Sequence, residues 1–208
     1  AVQDYPNGIA EVFIIGDKQK TVFSSLGALR LKLANNEKLI DEKLWAPLWV
    51  VDFPLVEWNE DHNRWDALHH PFTSPNFDDI DKINSSPDLV RSQGYDIVMN
   101  GYELGGGSIR IHDSSLQSKI FTLLGISKEE AKEKFGFLLN AFKYGAPPHG
   151  GMAFGFDRII MLLVNSSQIR DVIAFPKTTS AISLMDNSPS NVSNAQMDEL
   201  GLTYKTKK

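Results

Sequence analysis

Three consecutive glycines, Gly105 to Gly107, stand inside a β-rich segment and constrain the fold of this chain more than any other feature. Before them, Tyr95 to Tyr102 alternates apolar and polar residues as a half-buried strand does. After them, Ser108 to His112 resumes the strand, so the glycines are expected to interrupt it. Glycine weakens a strand, and a run of three therefore requires a reason. Two reasons stay open: a ligand that lies against the backbone, or a bulged hairpin.

The remaining pattern predicts short strands joined by hairpins and helices grouped apart from them. Leu48 to Val56 predicts a buried strand that is bulged or at an edge near Pro54, and Arg64 to Leu68 returns from it as a hairpin. Further strands are expected at 11–16, 151–155 (a central strand) and 172–175, and helices at 21–34, 116–124, 131–142 and 157–164, the last one buried. Asp113 or Ser114 is placed to cap the helix at 116–124, and Ser127 with Glu130 forms a capping-box pattern before the next helix. This arrangement indicates an α+β fold with an antiparallel sheet flanked by helices.

Composition excludes several classes of protein. With 42% hydrophobic and 23% charged residues, the 208-residue chain is typical of a globular protein, and no apolar run approaches the roughly 20 residues of a membrane span. It has no cysteine, which excludes disulfides and thiolate metal sites and fits a cytoplasmic protein. Its net charge of −5 provides no basic surface for RNA.

A strand-to-helix junction at Gly155-Phe156-Asp157-Arg158 is the first candidate site. Gly155 lets a flat ligand approach the backbone closely, and Arg158 is a planar cation that stacks on a base or holds a phosphate. Asp157 is placed to cap the helix that follows. The alternative is a plain turn with an arginine on the surface.

Opposite charges flank the three glycines. Arg110 is suited to grip a carboxylate with two hydrogen bonds, and Glu103 is suited to hold Mg²⁺; alternatively the two side chains pair with each other. Asp96 lies seven residues before Glu103, and an odd spacing puts two residues on opposite faces of a regular strand. Both carboxylates reach one metal only if an irregularity, expected at Asn100-Gly101, falls between them.

His69 and His70 are adjacent, so their side chains point apart on a strand. No third ligand is nearby in the sequence, which argues against zinc. One histidine near a carboxylate ligand is one interpretation, and a pair that makes only local hydrogen bonds at the end of a hairpin is the other.

Four longer segments resemble a known family. The run from Gly151 to Arg158, followed by Ile-Ile-Met-Leu-Leu, resembles motif 3 of the class II aminoacyl-tRNA synthetases. Leu68 to Pro75, Asn100 to His112 and Arg170 to Lys177 resemble, in this order and spacing, the bacterial-type aspartyl-tRNA synthetases. The resemblance implies three parts: residues 1–45 as the end of the bacterial inserted domain, 46–187 as the C-terminal half of the catalytic domain with motif 3, and 188–208 as a C-terminal tail, which we expect to be poorly ordered.

The resemblance also implies an activity, aspartate–tRNA ligase: ATP-dependent conversion of L-aspartate to aspartyl-adenylate, then transfer to tRNA(Asp). It implies that His69 and Arg110 bind aspartate and that Glu103 binds ATP through Mg²⁺ with the help of Asp96. It assigns the rest of the ATP site to Gly155, Phe156, Asp157 and Arg158, and catalytic roles to Glu103, Arg110 and Arg158.

Motif 1, motif 2 and the anticodon-binding barrel of that family have no counterpart in this sequence. We therefore expect a C-terminal fragment that is inactive alone, that belongs to a cytoplasmic homodimer when full length, and whose tRNA contacts lie mostly upstream. One alternative is a short non-catalytic paralogue that binds a ligand or partner. Another is an ATP-dependent asparagine synthetase of the related fold, against which residues 1–45 argue.

Overall fold

The structure is a computed structural model that describes residues 12–41 and 43–203. The chain divides into two compact units, residues 1–46 and 47–208. In the first unit, α1 spans Gln19–Asn36 and includes the predicted helix, but it buries none of its residues. Residues 12–16 form no strand, and Glu11 of that expected strand lies outside the described residues. A strand requires a hydrogen-bonding partner, and the described part of this unit has none.

The second unit is built on a four-stranded sheet. Its strands are β1 (Pro47–Val51), β4 (Gly94–Met99), β5 (Tyr102–Ile109) and β6 (Gly150–Phe154), in the order β1-β4-β5-β6, and every neighbouring pair is antiparallel. The predicted hairpin is confirmed only in its returning arm: β3 (Arg64–Ala67) lies in a separate two-stranded sheet, but its partner is β2 (Val56–Asn59). The buried strand expected at 48–56 is wrong, because it ends at Val51 as the largely exposed edge strand β1, pairs with β4, and is followed by Asp52 with a φ of 58° and by Pro54. The expected antiparallel α+β architecture is therefore confirmed.

Helices and short 3₁₀ turns surround the sheet. The helices are α2 (Ser114–Leu123), α3 (Lys128–Phe142), α4 (Phe156–Leu163) and α5 (Asn194–Glu199), and the 3₁₀ turns span Phe77–Lys82, Pro87–Leu89 and Ile169–Asp171. Asp113 caps α2 by accepting a hydrogen bond from the Leu116 backbone at 2.7 Å, as its position before the helix predicts. Ser127 caps α3 in the same way through the Glu130 backbone, at 3.1 Å.

The core has two clusters of buried side chains. The first joins the β2–β3 hairpin, the 3₁₀ turns and α2 through seven residues: Leu55, Val56, Ile83, Val90, Ile111, Ile120 and Leu124. The second is aromatic and has Phe72 between α2 and α3, packed against Phe121 and Phe135. Phe72 thus ties the segment that follows the two histidines to both helices.

Two further sequence predictions about the sheet are wrong. The three glycines do not interrupt a strand, because β5 continues through them and each one pairs with β4 on one side and β6 on the other. The strand predicted at 151–155 is present as β6 but is not central, since among the described residues β6 pairs only with β5 and is at the edge. Apolar, small residues favour a strand, and they do not by themselves determine how many neighbours it has.

Three further expectations in the last quarter of the chain are wrong. The helix α4 buries only Met161 and leaves Phe156 71% exposed, because it contacts β5 and the 169–171 turn on one side only. Residues 172–175 are not a strand, since Phe175 adopts a φ of 56°, which is not extended backbone. The tail contains α5, which begins with a capping box of Ser193 and Gln196; residues 204–208 lie outside the described residues.

Candidate active site

The glycine run in β5 allows three strands to approach closely. A Cβ added to Gly105 would stand 2.5 Å from the carbonyl oxygen of Ala153, and one added to Gly107 would overlap the carbonyl oxygen of Gly151. A Cβ on Gly106 would overlap Oδ1 of Asp96. The pairing of β4 with β5 also shifts register once, so the bulged hairpin proposed from the sequence is present.

Two carboxylates share this hairpin. Asn100 and Gly101 form its turn, with φ values of 52° and 85°, so Asp96 lies on β4 and Glu103 on β5. Burial raises the pKa of Asp96, the nearby carboxylate of Glu103 raises it further, and His69 acts in the opposite direction. The irregularity expected between Asp96 and Glu103 is therefore confirmed, and the two side chains interact electrostatically.

His69 lies on the Asp96 side of this region. Its ring packs edge-on against Phe53, with 4.7 Å between the ring centroids and 73° between the planes. The ring also lies beside the start of β4, because a Cβ added to Gly94 would be in ordinary van der Waals contact with Nδ1 of His69, at 3.7 Å. The ring is thus held between a strand and an aromatic side chain.

His70 lies on the other side, near Arg110. The segment after the histidines runs beside the end of β5: the backbone N–H of Ser74 donates to Ile109 at 2.9 Å, and that of Ile111 donates to Phe72 at 2.9 Å. Burial lowers the pKa of His70, and the positive charge of Arg110 lowers it further. Nδ1 of His70 also accepts a hydrogen bond from the Phe72 backbone at 3.2 Å, so the local hydrogen bond considered for the histidine pair exists.

Arg110 carries an unsatisfied donor. Its Nη1 is buried and has no hydrogen-bond partner among the described residues. Arg110 and Glu103 form no ion pair in the described part of the chain, so the alternative in which they neutralise each other is wrong. A buried N–H that is left unpaired costs about 1–3 kcal/mol, and more when it is charged. The arrangement is therefore suited to a carboxylate ligand.

The junction before α4, Gly155 to Arg158, is an exposed surface next to the same hairpin and is called the shelf below. Gly155 is the N-cap of α4, and its backbone N–H donates to the Leu104 carbonyl at 2.7 Å. Arg158 folds back over it and donates from Nη1 to the carbonyl oxygen of Glu103 at 2.7 Å. Asp157 does not cap the helix, because it is already the second helical residue. Phe156, Asp157 and Arg158 are all exposed.

Sequence reasoning missed two residues that the structure brings to this region, His70 and Gln117. The side chain of Gln117 is fully buried in α2, and its Nε2 donates to the carbonyl oxygen of Pro71 at 2.9 Å. A signal existed in the sequence, because Gln117 precedes Ile120 and Phe121 by three and four residues and so shares their buried helix face. For His70 the signal was that adjacent residues on an extended segment point apart.

Within residues 12–41 and 43–203, no group of three or more histidine, cysteine, aspartate and glutamate side chains is arranged to hold a metal ion. Asp96 and Glu103 are a pair of oxygen donors rather than a complete cage. In the same part of the chain, no helix is long and apolar enough to cross a membrane.

Comparison with known proteins identifies relatives of this arrangement. The family model described as tRNA synthetases class II (D, K and N) matches residues 17–179. The chain is 58% identical over 191 residues to the aspartate–tRNA ligase of Staphylococcus carnosus and 57% identical to that of Staphylococcus epidermidis, in each case over 92% of this chain and 32% of the relative. It thus spans about a third of the length of these relatives.

A solved structure supports the fold. The aspartyl tRNA synthetase from Entamoeba histolytica is 24% identical and superposes with a TM-score of 0.50, over 73% of this chain and 26% of that one. The sheet and flanking helices therefore have a counterpart among solved synthetase structures.

Proposed function

Because this chain belongs to the class II tRNA synthetases (D, K and N), we propose that it provides part of the active site of an aspartate–tRNA ligase. The observation that carries the proposal is the buried Nη1 of Arg110, near His70, which has no hydrogen-bond partner within residues 12–41 and 43–203. The guanidinium is a planar donor for both oxygens of a carboxylate. The side chain of L-aspartate satisfies it, whereas the neutral amide of asparagine leaves the cation without a counter-charge.

On this proposal, the shelf before α4 takes the nucleotide. Gly155 exposes backbone to a flat base, and Arg158 is already oriented by its hydrogen bond to Glu103, so its remaining N–H groups are available to a ring face or a phosphate. His69, on the Asp96 side, is proposed to contact the aspartate.

The acidic pair fits Mg²⁺. This ion takes oxygen ligands and is commonly held by one or two carboxylates together with the phosphates of a substrate, rather than by a cage of protein side chains. Asp96 and Glu103 are such a pair, and burial already raises the pKa of Asp96. When bound, the ion neutralises negative charge that builds on the phosphates. We propose Glu103 as its main ligand and Asp96 as the second.

The reaction then follows from positioning. A carboxylate oxygen of aspartate attacks the α-phosphorus of ATP, and the bond to pyrophosphate breaks; the terminal hydroxyl of tRNA(Asp) next attacks the aspartyl carbonyl and releases AMP. Arg110 holds the amino acid by its side chain, which leaves the reacting carboxylate free. Arg158 holds the nucleotide, so the two substrates meet at a fixed distance and orientation.

The proposal extends to the organisation of the chain. Residues 1–45 would be the end of an inserted domain, 46–187 half of the catalytic domain, and 188–208 a tail, and the division into two compact units after residue 46 supports the first boundary. The ligase would act in the cytoplasm as a homodimer, with tRNA(Asp) bound mainly by parts outside these residues.

The test is aspartate-dependent exchange of pyrophosphate into ATP by the native polypeptide that carries this sequence. We expect Arg110→Gln to lower kcat/KM for aspartate by about 30-fold to several thousand-fold, because losing one partner of a buried charge pair costs about 2–5 kcal/mol. Arg64→Gln is the control, since Arg64 pairs with Asp66 on the exposed β2–β3 hairpin. Exchange that depends on another amino acid, or no exchange at all, would contradict the proposal, and the latter would favour a non-catalytic paralogue.

A further inference from the structure

Gln117 makes a contact that packing alone does not explain. Its side chain is 0% exposed on α2, and its Nε2 donates to the Pro71 carbonyl at 2.9 Å, across 46 residues of sequence. Its Oε1 is buried without a hydrogen-bond partner among the described residues. A half-satisfied buried amide stabilises a fold less than an apolar side chain of the same size. We therefore expect Gln117 to orient a neighbouring group rather than to stabilise the fold.

The Pro71 carbonyl belongs to a tight turn that aims the His70 ring. The Thr73 backbone N–H donates to the His70 carbonyl at 3.0 Å and closes the turn, and the Phe72 N–H donates to Nδ1 of His70 at 3.2 Å. The latter bond requires Nδ1 to be unprotonated, so the proton of the neutral ring is on Nε2. Rotation of the Pro71–Phe72 peptide would turn its N–H away from Nδ1.

That peptide is held at both of its polar atoms. Its N–H holds the His70 ring, and its oxygen, which is the Pro71 carbonyl, accepts the hydrogen bond from Gln117. The carbonyl of Phe72, one peptide further on, accepts from Ile111, the residue after Arg110. A single rigid peptide plane therefore links a buried helix residue to the orientation of an imidazole beside Arg110.

We propose that Gln117 is a positioning residue: through the Pro71–Phe72 peptide it fixes the direction and the proton position of the His70 ring beside Arg110. The identity of the ligand at Arg110 rests on the proposed function, whereas the positioning of the ring does not. His70 itself would shape the carboxylate site by presenting a neutral Nε2–H rather than a second cation.

The chain offers a matched control in Gln93. Its Nε2 donates to the carbonyl oxygen of Pro75 at 2.9 Å, so it makes the same kind of bond to a proline carbonyl in the same segment, four residues further on. Gln93 is only partly buried and also donates to Ser74 Oγ at 3.4 Å, so Gln93→Met removes at least as many hydrogen bonds as Gln117→Met. Only Gln117→Met removes a bond to the peptide that holds His70.

The experiment is NMR of the 208-residue chain labelled with ¹⁵N-histidine, in which two-bond correlations report which ring nitrogen carries the proton. The His70 signals are assigned with His70→Gln. We expect His70 to show the Nε2–H form in the wild type and in Gln93→Met, and to lose this single-form signature in Gln117→Met. Thermal unfolding of each variant shows that the fold is retained. An unchanged His70 signature in folded Gln117→Met would overturn the proposal.

A second variant covers the case in which Gln117→Met does not fold. Gln117→Asn keeps the amide but shortens the side chain by one methylene, and we expect the same loss of the His70 signature. If neither variant folds, Gln117 serves to stabilise the fold and the proposal is overturned. In the native polypeptide, Gln117→Met is expected to raise KM for aspartate on the order of ten-fold with KM for ATP unchanged. If the histidine result holds and no aspartate is activated, the proposed function fails and the positioning role stands.

Discussion

The carboxylate of Asp96 occupies the space in which a side chain on Gly106 would stand, because a Cβ built there overlaps Oδ1 of Asp96. Asp96 and Gly106 are register partners on β4 and β5. The missing side chain therefore lets the carboxylate lie across the neighbouring strand, towards the region that it shares with Glu103 and His69. A side chain on the middle glycine of the run would thus collide with an acidic side chain, whereas side chains on its two neighbours would collide with the backbone of β6.

Replacing Gly106 with alanine should displace the Asp96 carboxylate. We expect Gly106→Ala to weaken binding of Mn²⁺, used as a paramagnetic substitute for Mg²⁺, and to lower the free energy of unfolding by about 1–3 kcal/mol, as overpacking does. Paramagnetic relaxation of water protons and urea unfolding measure the two effects. Gly151→Ala is the control, since a Cβ on that glycine of β6 meets nothing within 4 Å. Equal ion binding by both variants would contradict this role of Gly106.

The sequence predicted what depends on local pattern and missed what depends on distant neighbours. The helix caps Asp113 and Ser127 were predictable, because a cap is determined by residues within one turn. The continuity of β5 was not, since the close approach of β6 that makes glycine necessary involves residues about 45 positions further along the chain.

The candidate site likewise has features that local sequence predicts and features that depend on distant parts of the chain. Residue type made Arg110 and Glu103 candidates. An irregularity was expected at Asn100-Gly101, but the full hairpin turn found there was not, because a single strand was expected from Tyr95 to Tyr102. That His70 rather than His69 lies near Arg110 depends on the pairing of the 72–74 segment with the end of β5, and no local pattern determines this pairing. The exposure of α4 likewise depends on which elements pack against it, so its apolar sequence led to a wrong expectation of burial.

Stability should fall in acid because of Asp79. This buried carboxylate accepts hydrogen bonds from Arg91 Nε at 2.8 Å and from Lys82 Nζ at 2.6 Å, and these bonds hold its pKa far below the ordinary value of 3.8. Above pH 3.8 both folded and unfolded chains are ionised and the stabilisation is complete; below it the unfolded chain takes up the proton first, so stability is lost as the pH falls further. Urea midpoints between pH 2 and 6 measure this slope.

Asp79→Asn should remove that part of the slope and lower the midpoint at pH 6, because Lys82 and Arg91 lose their shared carboxylate. Asp81→Asn is the matched control, being an exposed aspartate on the same 3₁₀ turn. An acid slope in Asp79→Asn as steep as that of the wild type would assign the acid sensitivity to other carboxylates.

Phe72 should contribute strongly to stability. It is 5% exposed, and its ring meets those of Phe121 at 5.6 Å, Phe135 at 5.2 Å and Phe142 at 6.5 Å. We expect Phe72→Ala to lower the free energy of unfolding by about 3–5 kcal/mol, through lost burial and an unfilled cavity. Phe137→Ala on the exposed side of α3, where the ring is 82% accessible, should change it by less than about 0.5 kcal/mol. Chemical denaturation compares the two, and similar losses would show that the aromatic cluster does not anchor this segment.

Arg158 should act on the nucleotide alone. Its Nη1 donates to the carbonyl oxygen of Glu103 at 2.7 Å, which orients the guanidinium while the side chain stays exposed. In the proposed ligase, Arg158→Lys should raise KM for ATP at least about ten-fold, because an ammonium neither stacks as a plane nor donates two parallel hydrogen bonds. KM for aspartate should stay within about two-fold, since the proposed aspartate site is at Arg110, just after β5. Pyrophosphate exchange at varied ATP and aspartate separates the two constants, with Lys134→Ala as a surface control because Lys134 pairs with Glu130 on α3. A parallel rise in both constants would mean that Arg158 supports the hairpin as a whole rather than the nucleotide.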